Sequence, residues 1–271
     1  MKISDARLGF IGFGHMAQII FKAIAQAKLI PRSQVSFIRR DTEKMRKNEQ
    51  EFGITAATLE TIAETSDILI LGVRPAQAGA LLRDLKRCRV GSSKPIISML
   101  AGVKLSYYQK IFDNPILRIM PNLASEVAMG MTVLSYSPNP PLAFRSLSNL
   151  LFSCMGEAIE VPEAMMDVCC GIAGSGPGFV FRLIEAMARI GEKEGLSYAK
   201  ALKMAAQTFA GAAKLVLKTG DPQTLLRQIA TPNGTTEAGL KMMTALHVDE
   251  HLQNVVSASA RRSKELSEEF Q

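Results

Sequence analysis

The run Gly12-Phe13-Gly14-His15-Met16-Ala17 limits what this chain can fold into more than any other stretch. It follows a short apolar segment, Arg7 to Ile11, and opens an amphipathic one from Met16 to about Ala27. In the pattern G-x-G-x-x-A, the first glycine permits a tight strand-to-helix turn. The second lets a pyrophosphate reach the backbone. The small third residue lets helix and strand pack closely. The helix N-terminus then presents free N–H groups and a partial positive charge to phosphates. A purely structural turn is the alternative. Its place near the N-terminus, between strand and helix, favours a dinucleotide site.

The residues that follow alternate between two periods. Strands are expected at Arg7–Ile11, Gln34–Ile38, Ile68–Gly72, Pro95–Met99, Ile116–Met120 and Met131–Ser135. A charged helix is expected over Thr42–Phe52, and Pro75 opens another, where its missing N–H costs nothing. Strand and helix in turn argue for a mostly parallel sheet covered on both faces. After Val161 only helical periodicity remains: Gly176–Gly195, Ser197–Lys218, and further helices after Pro222, after Gly234 and near Val248. The second of these is rich in alanine, which suits a buried or intersubunit helix. The fold class expected is an α/β Rossmann-like domain over residues 1–162, followed by an all-α domain over 163–271. The chain has 271 residues, which at roughly 150 per domain fits one or two domains.

The end of the second strand refines the nucleotide. An acidic residue there would hold a ribose 2′-hydroxyl. The chain has Arg39 and Arg40 instead, and a guanidinium fork matches a phosphate. That reads as a 2′-phosphate site, hence NADP. The other reading assigns both arginines to the charged helix that Asp41 begins.

Composition excludes several classes. The net charge of +7 points to an anionic partner without choosing one. The basic residues are dispersed and join no aromatic stripe, so nucleic acid is not expected. No apolar run approaches the roughly 18 residues of a membrane helix, and no secretory signal is seen. The four cysteines, Cys88, Cys154, Cys169 and Cys170, form no C-x-x-C pair, and the three histidines are scattered. Neither a disulfide framework nor a metal site is expected. A reduced, soluble, cytoplasmic protein is the expectation.

Two more glycine clusters carry information. Gly171-Ile172-Ala173-Gly174-Ser175-Gly176 resembles the glycine run of β-hydroxyacid dehydrogenases, where a catalytic lysine follows four residues later. Val180 stands at that position, which argues against alcohol oxidation. Thr231-Pro232-Asn233-Gly234-Thr235-Thr236 lies between two expected helices. It is either a nest of N–H groups and hydroxyls suited to a carboxylate, or ordinary N-capping.

Together these segments resemble the pyrroline-5-carboxylate reductase family, and the resemblance runs end to end. It rests on Gly9 to Ala17, Val73-Arg74-Pro75, Ile97-Ser98 with Ala101-Gly102, and Arg118-Ile119-Met120-Pro121-Asn122. It continues through Gly174-Ser175-Gly176-Pro177, Glu185-Ala186-Met187, Gln207-Thr208 and Thr231 to Thr236 with Gly239-Leu240. The resemblance implies a Rossmann domain and an interlocking helical dimerisation domain, with homodimers that can assemble into decamers. It implies hydride transfer from NADPH, or NADH, to the C=N carbon of 1-pyrroline-5-carboxylate, giving L-proline without a metal. A reductase of a related cyclic imine and a non-catalytic NADP-binding sensor are the alternatives.

By the same resemblance, Asn233, Gly234 and Thr235 grip the substrate carboxylate, and the catalytic Thr236 hydroxyl faces the ring nitrogen. Thr231 and Glu163 join the substrate site. Gly12, Phe13, Gly14, His15, Met16, Ala17, Arg39, Arg40, Val73, Arg74, Pro75, Ala101 and Asn122 lie along the cofactor. The chain departs from the family pattern at His15, Leu59, Leu123-Ala124 and Asn233.

Overall fold

The computed structural model describes residues 3–268. These fall into two compact units. One runs to Gly174 and includes the residues from Ser259 onward; the other is Ser175–Ala258.

The first unit is built on one eight-stranded sheet. Its strands are β1 (Leu8–Ile11), β2 (Val35–Ile38), β3 (Thr55–Ala56), β4 (Ile68–Leu71), β5 (Ile96–Ser98), β6 (Ile116–Met120), β7 (Gly130–Tyr136) and β8 (Gly156–Glu160). The order is β3-β2-β1-β4-β5-β6-β7-β8. All neighbours are parallel except β6 and β7. The helices are α1 (His15–Gln26), α2 (Thr42–Phe52), α3 (Leu59–Thr65), α4 (Ala78–Arg87), α5 (Leu105–Gln109), α6 (Leu142–Ser153) and α7 (Met166–Cys169). β1 pairs with β2 on one side and β4 on the other. Chain order therefore reverses between β1 and β4, and a crevice opens at their carboxyl ends.

The six expected strands are all present, and the sequence reading missed two. β3 has only two residues, too short to show a period. β8 reads Gly-Glu-Ala-Ile-Glu and is an exposed edge, where polar residues are tolerated. The short helices α3 and α5, and α6, were also not anticipated.

Successive residues of the central strands feed opposite cores. Leu8, Phe10, Ile68 and Ile70 join one cluster, whereas Ile11, Leu69 and Leu71 join the other. Burial on both faces is why these strands read as continuous apolar runs. Phe13 of the glycine turn is inserted among Phe10, Phe21, Phe37 and Phe52, with ring centroids 4.7 to 6.1 Å away. That cluster anchors the turn to the core.

The second unit contains α8 (Gly176–Lys193), α9 (Tyr198–Thr219), α10 (Pro222–Ile229) and α11 (Thr235–Ala245). α12 (Val248–Glu268) starts within it. α8 and α9 approach closely: a Cβ on Gly191 would lie 2.8 Å from Ala201 Cβ. Between the same helices Tyr198 donates to Glu185, which also accepts from Arg189 of its own helix at 2.8 Å.

One expectation needs correcting. The helical run Glu163–Lys193 is long and apolar enough to cross a membrane by length and composition, with a mean hydropathy of 1.3 over its most apolar window. The sequence reading overlooked it because that apolarity is spread over Met, Cys, Gly and Ala, not gathered in an aliphatic run.

Candidate active site

The glycine loop sits at the crevice between β1 and β4. Gly12 has φ +91°, a conformation L side chains rarely adopt. A Cβ there would lie 2.6 Å from the Gly72 carbonyl carbon and 2.7 Å from the Val73 nitrogen. Glycine is therefore required by the protein's own backbone. Gly14 differs. Its φ is −82°, and a Cβ there would meet nothing within 4 Å. Gly14 is the N-cap of α1 and has no side chain to accept from the opening N–H groups, which stay free in that first turn.

A cavity of about 480 Å³ lies directly on this loop. It is bordered by Gly12, Phe13, Gly14, Arg39, Arg40, Val73 and Arg74, so the structure brings together three of the sequence-predicted segments. Lys44 and Leu59 also line it. Lys44 carries a cation to the same opening, and sequence reasoning missed it. The available signal was its place in the first turn of the helix that Asp41 caps, just after Arg39 and Arg40.

The two arginines are not equivalent. Arg39 is half-buried and donates to the buried Asn48 at 2.5 Å. Arg40 is exposed. Asp41 is the N-cap of α2; its carboxylate accepts the Lys44 N–H at 3.0 Å, and that bond holds it below the ordinary aspartate range. The helix reading of this stretch thus holds for Asp41, while Arg39 and Arg40 still face the cavity.

The remaining residues of the cofactor set are placed as follows. Phe13 contributes backbone only, since its ring is buried. His15 is exposed and stands 3.1 Å from Glu126. Met16 is half-buried and Ala17 fully buried under the sheet. Pro75 begins a short 3-10 turn leading into α4. Ala101 is exposed after β5. Asn122 lies outside the cavity: it donates to Ala173 O at 3.0 Å and accepts the Met131 N–H at 3.3 Å. It thereby ties the end of β6 to the π-turn at Cys170–Gly174.

Glu163 lies in the first unit as well. Its Oε1 accepts the Leu105 N–H at 2.6 Å and also pairs with Arg118. It borders a different cavity, of about 410 Å³, that Arg145 and Tyr136 share.

The threonine turn belongs to the second unit. Gly234 N–H donates to Thr231 O at 2.9 Å, closing the turn. Asn233 takes φ +58°, and its N–H donates to Glu237 at 2.9 Å. A Cβ on Gly234 would lie 2.6 Å from Thr231 Oγ1. The Asn233 and Gly234 N–H groups are therefore committed within the turn. The N–H groups of Thr235, Thr236 and Glu237 open α11 and have no acceptor in it. The turn can thus offer donors to an anion, with hydroxyls on Thr231, Thr235 and Thr236 beside them.

Among the described residues no His, Cys, Asp and Glu cluster could hold a metal ion. Cys169 and Cys170 are both half-buried at the start of the π-turn.

Two family models match the chain, one in each half of the sequence. Residues 163–266 match the family model described as pyrroline-5-carboxylate reductase dimerisation. Residues 7–102 match one described as NADP oxidoreductase, coenzyme F420-dependent. The chain is 34% identical to pyrroline-5-carboxylate reductase 1 of Bacillus subtilis (strain 168), covering 98% of this chain and 91% of that protein. It is 33% identical to the pyrroline-5-carboxylate reductase of Methanosarcina acetivorans, covering 97% and 99%. Among solved structures, it is similar to Plasmodium falciparum pyrroline carboxylate reductase with NADP bound. The TM-score there is 0.85 at 27% identity, covering 98% of this chain and 99% of that one.

Proposed function

This chain belongs to the pyrroline-5-carboxylate reductase family, and from that premise we infer that it reduces the C=N bond of 1-pyrroline-5-carboxylate to give L-proline. One observation carries the reading: the likeness spans nearly the whole chain, sheet and helices alike. NADPH supplies the hydride when bound, and NADH is the second candidate donor.

The residues present fit such a cofactor. Gly14 leaves open space over uncapped N–H groups, where a pyrophosphate can be held. Arg40, with Lys44 and Arg74 on the same cavity, supplies the charge that a 2′-phosphate needs. Arg39 is steadied by Asn48 beside them. Ala17 lets α1 pack close to the sheet.

The reaction asks little acid–base chemistry of the protein. A protonated cyclic imine accepts hydride once its carbon is held and oriented. In this reading the free N–H groups at the start of α11 hold the substrate carboxylate. Thr231 and Thr235 add hydroxyls, and Thr236 directs its hydroxyl to the ring nitrogen. Asn233 and Gly234 give the turn its shape. Glu163 completes the set through the elements it fixes.

A homodimer, capable of further assembly to a decamer, is part of the proposal, as is a cytoplasmic location. The dimer is supported by side chains in the second unit such as Met204 and Leu217, which stand 59% and 74% exposed. We retain a functional division near Pro162, between cofactor and dimerisation halves.

The test is a steady-state assay of 1-pyrroline-5-carboxylate and its six-membered homologue, each with NADPH and NADH. The five-membered imine with NADPH is expected to give the highest kcat/KM. No NADPH oxidation above the rate without enzyme overturns the reading. Preference for the six-membered ring would reassign the substrate.

A further inference from the structure

A buried cation under the loop after β5 has no role in the reading so far. Arg118, in the middle of β6, is 7% exposed. Among the described residues Glu163 is the carboxylate that pairs with it. The same oxygen, Oε1, accepts the Leu105 N–H at 2.6 Å. α5 starts at Leu105, and the preceding Lys104 gives it no side-chain cap. A carboxylate 58 residues further along the chain takes that role.

The segment between Ser98 and Leu105 is then held along its length. Ser98 Oγ meets the buried Tyr108 hydroxyl at 2.5 Å and accepts the Leu100 N–H at 3.2 Å. Met99 N–H donates to Leu71 O at 3.0 Å. Gly102 has φ +81° and backs onto α12, where a Cβ would lie 2.6 Å from Leu266 O. The far end is held by Glu163, and Glu163 by Arg118. This loop stands at the carboxyl edge of the parallel strands, the edge that ligands of such sheets use. Its exposed residue is Ala101.

A core that needed only packing would be served as well by apolar side chains. Burying the Arg118 charge against a half-buried Glu163 costs desolvation that their attraction does not reliably offset, so such a pair is weak evidence for stability. What an ion pair adds is direction. We propose that Arg118 is a positioning residue for hydride transfer: through Glu163 Oε1 and the Leu105 N–H it fixes the loop 99–104, and Ala101 with it, beside the bound nicotinamide. The proposal rests on the reductase reading above.

The experiment compares the full-length enzyme with Arg118→Met, Arg118→Lys and the double variant Arg118→Met/Glu163→Gln. Measured for each are thermal melting, kcat, KM for both substrates, and the isotope effect with NADPH deuterated at the transferred position. Arg118→Met leaves Glu163 unpaired and is expected to melt lower. In the double variant no charge is stranded, and the glutamine oxygen still accepts from Leu105. It is expected to melt near the wild type. Both are expected to lose kcat by on the order of ten- to a hundred-fold, as a misplaced reacting pair does. KM for the imine should change much less, and the isotope effect should rise. Arg118→Lys is expected to recover part of kcat. A folded double variant with wild-type kcat and an unchanged isotope effect overturns the proposal. Absence of turnover in the wild type defeats the reductase reading instead, before any variant is compared.

Discussion

The two units solve the burial problem in opposite ways. The sheet unit buries its own core: Phe10, Phe13, Phe37, Ile70, Leu71 and Ile97 are all essentially inaccessible. The helical unit buries only three residues, Ala188, Ala201 and Ala205. Its larger side chains stay outside; Phe181, Ile190, Met204 and Leu217 are all more than half exposed. Small residues bring α8 and α9 together, but too little apolar area leaves water for those helices to stand on that contact alone. An exposed apolar surface of this extent is an interface in waiting. The difference sets a half that closes its own core against a half whose apolar sides stay open, the half that matches the dimerisation model.

The sharpest way to break that comparison is a charge on the helical surface. Met204 is exposed on the surface of α9, in an open hollow that Lys200, Lys203, Gln207 and Thr208 also border. Met204→Glu should strand a carboxylate in the proposed interface, at a cost of about 3–5 kcal/mol. Sedimentation velocity should then show monomers at concentrations where the wild type is a dimer or larger. Association should weaken roughly a hundred-fold or more, as such a cost implies, and turnover should fall with the dimer population. Lys86→Glu on the sheet unit is the control and should change neither. An oligomeric, fully active Met204→Glu would mean that the helical unit does not need a partner there.

The second comparison lies inside the glycine loop. Gly12 is required by the protein's backbone and Gly14 is not. Gly12→Ala places a methyl group against Gly72 in a strained conformation, and should cost stability by about 1–3 kcal/mol as well as cofactor affinity. Gly14→Ala should leave the melting temperature unchanged and still weaken NADPH binding about ten-fold, read by fluorescence titration. If Gly14→Ala binds NADPH normally, the pyrophosphate does not lie over that position.

Much of this was legible in the sequence, because the sheet is buried on both faces. Ile68 to Leu71 announces itself as an apolar run, and Gly12 to Ala17 carries the geometry of its turn in residue types alone. The edge was not legible. β8 is half polar, and nothing in Gly-Glu-Ala-Ile-Glu shows that β7 will pair with it. Side-chain economy was not legible either. The pattern gave Arg39 and Arg40 equal standing, but only the fold brings Asn48 under Arg39 and leaves Arg40 exposed. Likewise the sequence placed donors at Asn233 and Gly234, while the folded turn uses those N–H groups internally. Arg118 and Glu163 lie far apart in the chain, and periodicity cannot pair them. The apolar helices were legible as helices; that their apolar sides face outward was not, because periodicity shows a stripe without showing what covers it.

The smallest expected effect tests the turn that the helical unit carries. Asn233 stands in the left-handed region, with a φ of +58°. Asparagine enters that left-handed region more readily than other side chains do. Asn233→Gly should therefore leave melting and turnover near wild type. Asn233→Ala keeps a Cβ but lacks the polar tip, and should destabilise by about 1 kcal/mol. Both need measuring at one fixed protein concentration, since partner binding contributes to the apparent stability of an oligomer. In the sheet unit a strained residue such as Gly12 is wedged against backbone, and any substitution is felt by the core. Here the turn is exposed, and only its own backbone registers the change. A marked loss of turnover in Asn233→Gly, with melting unchanged, would show that the amide touches substrate as well as shaping the turn, and that this departure from the family pattern carries chemistry of its own.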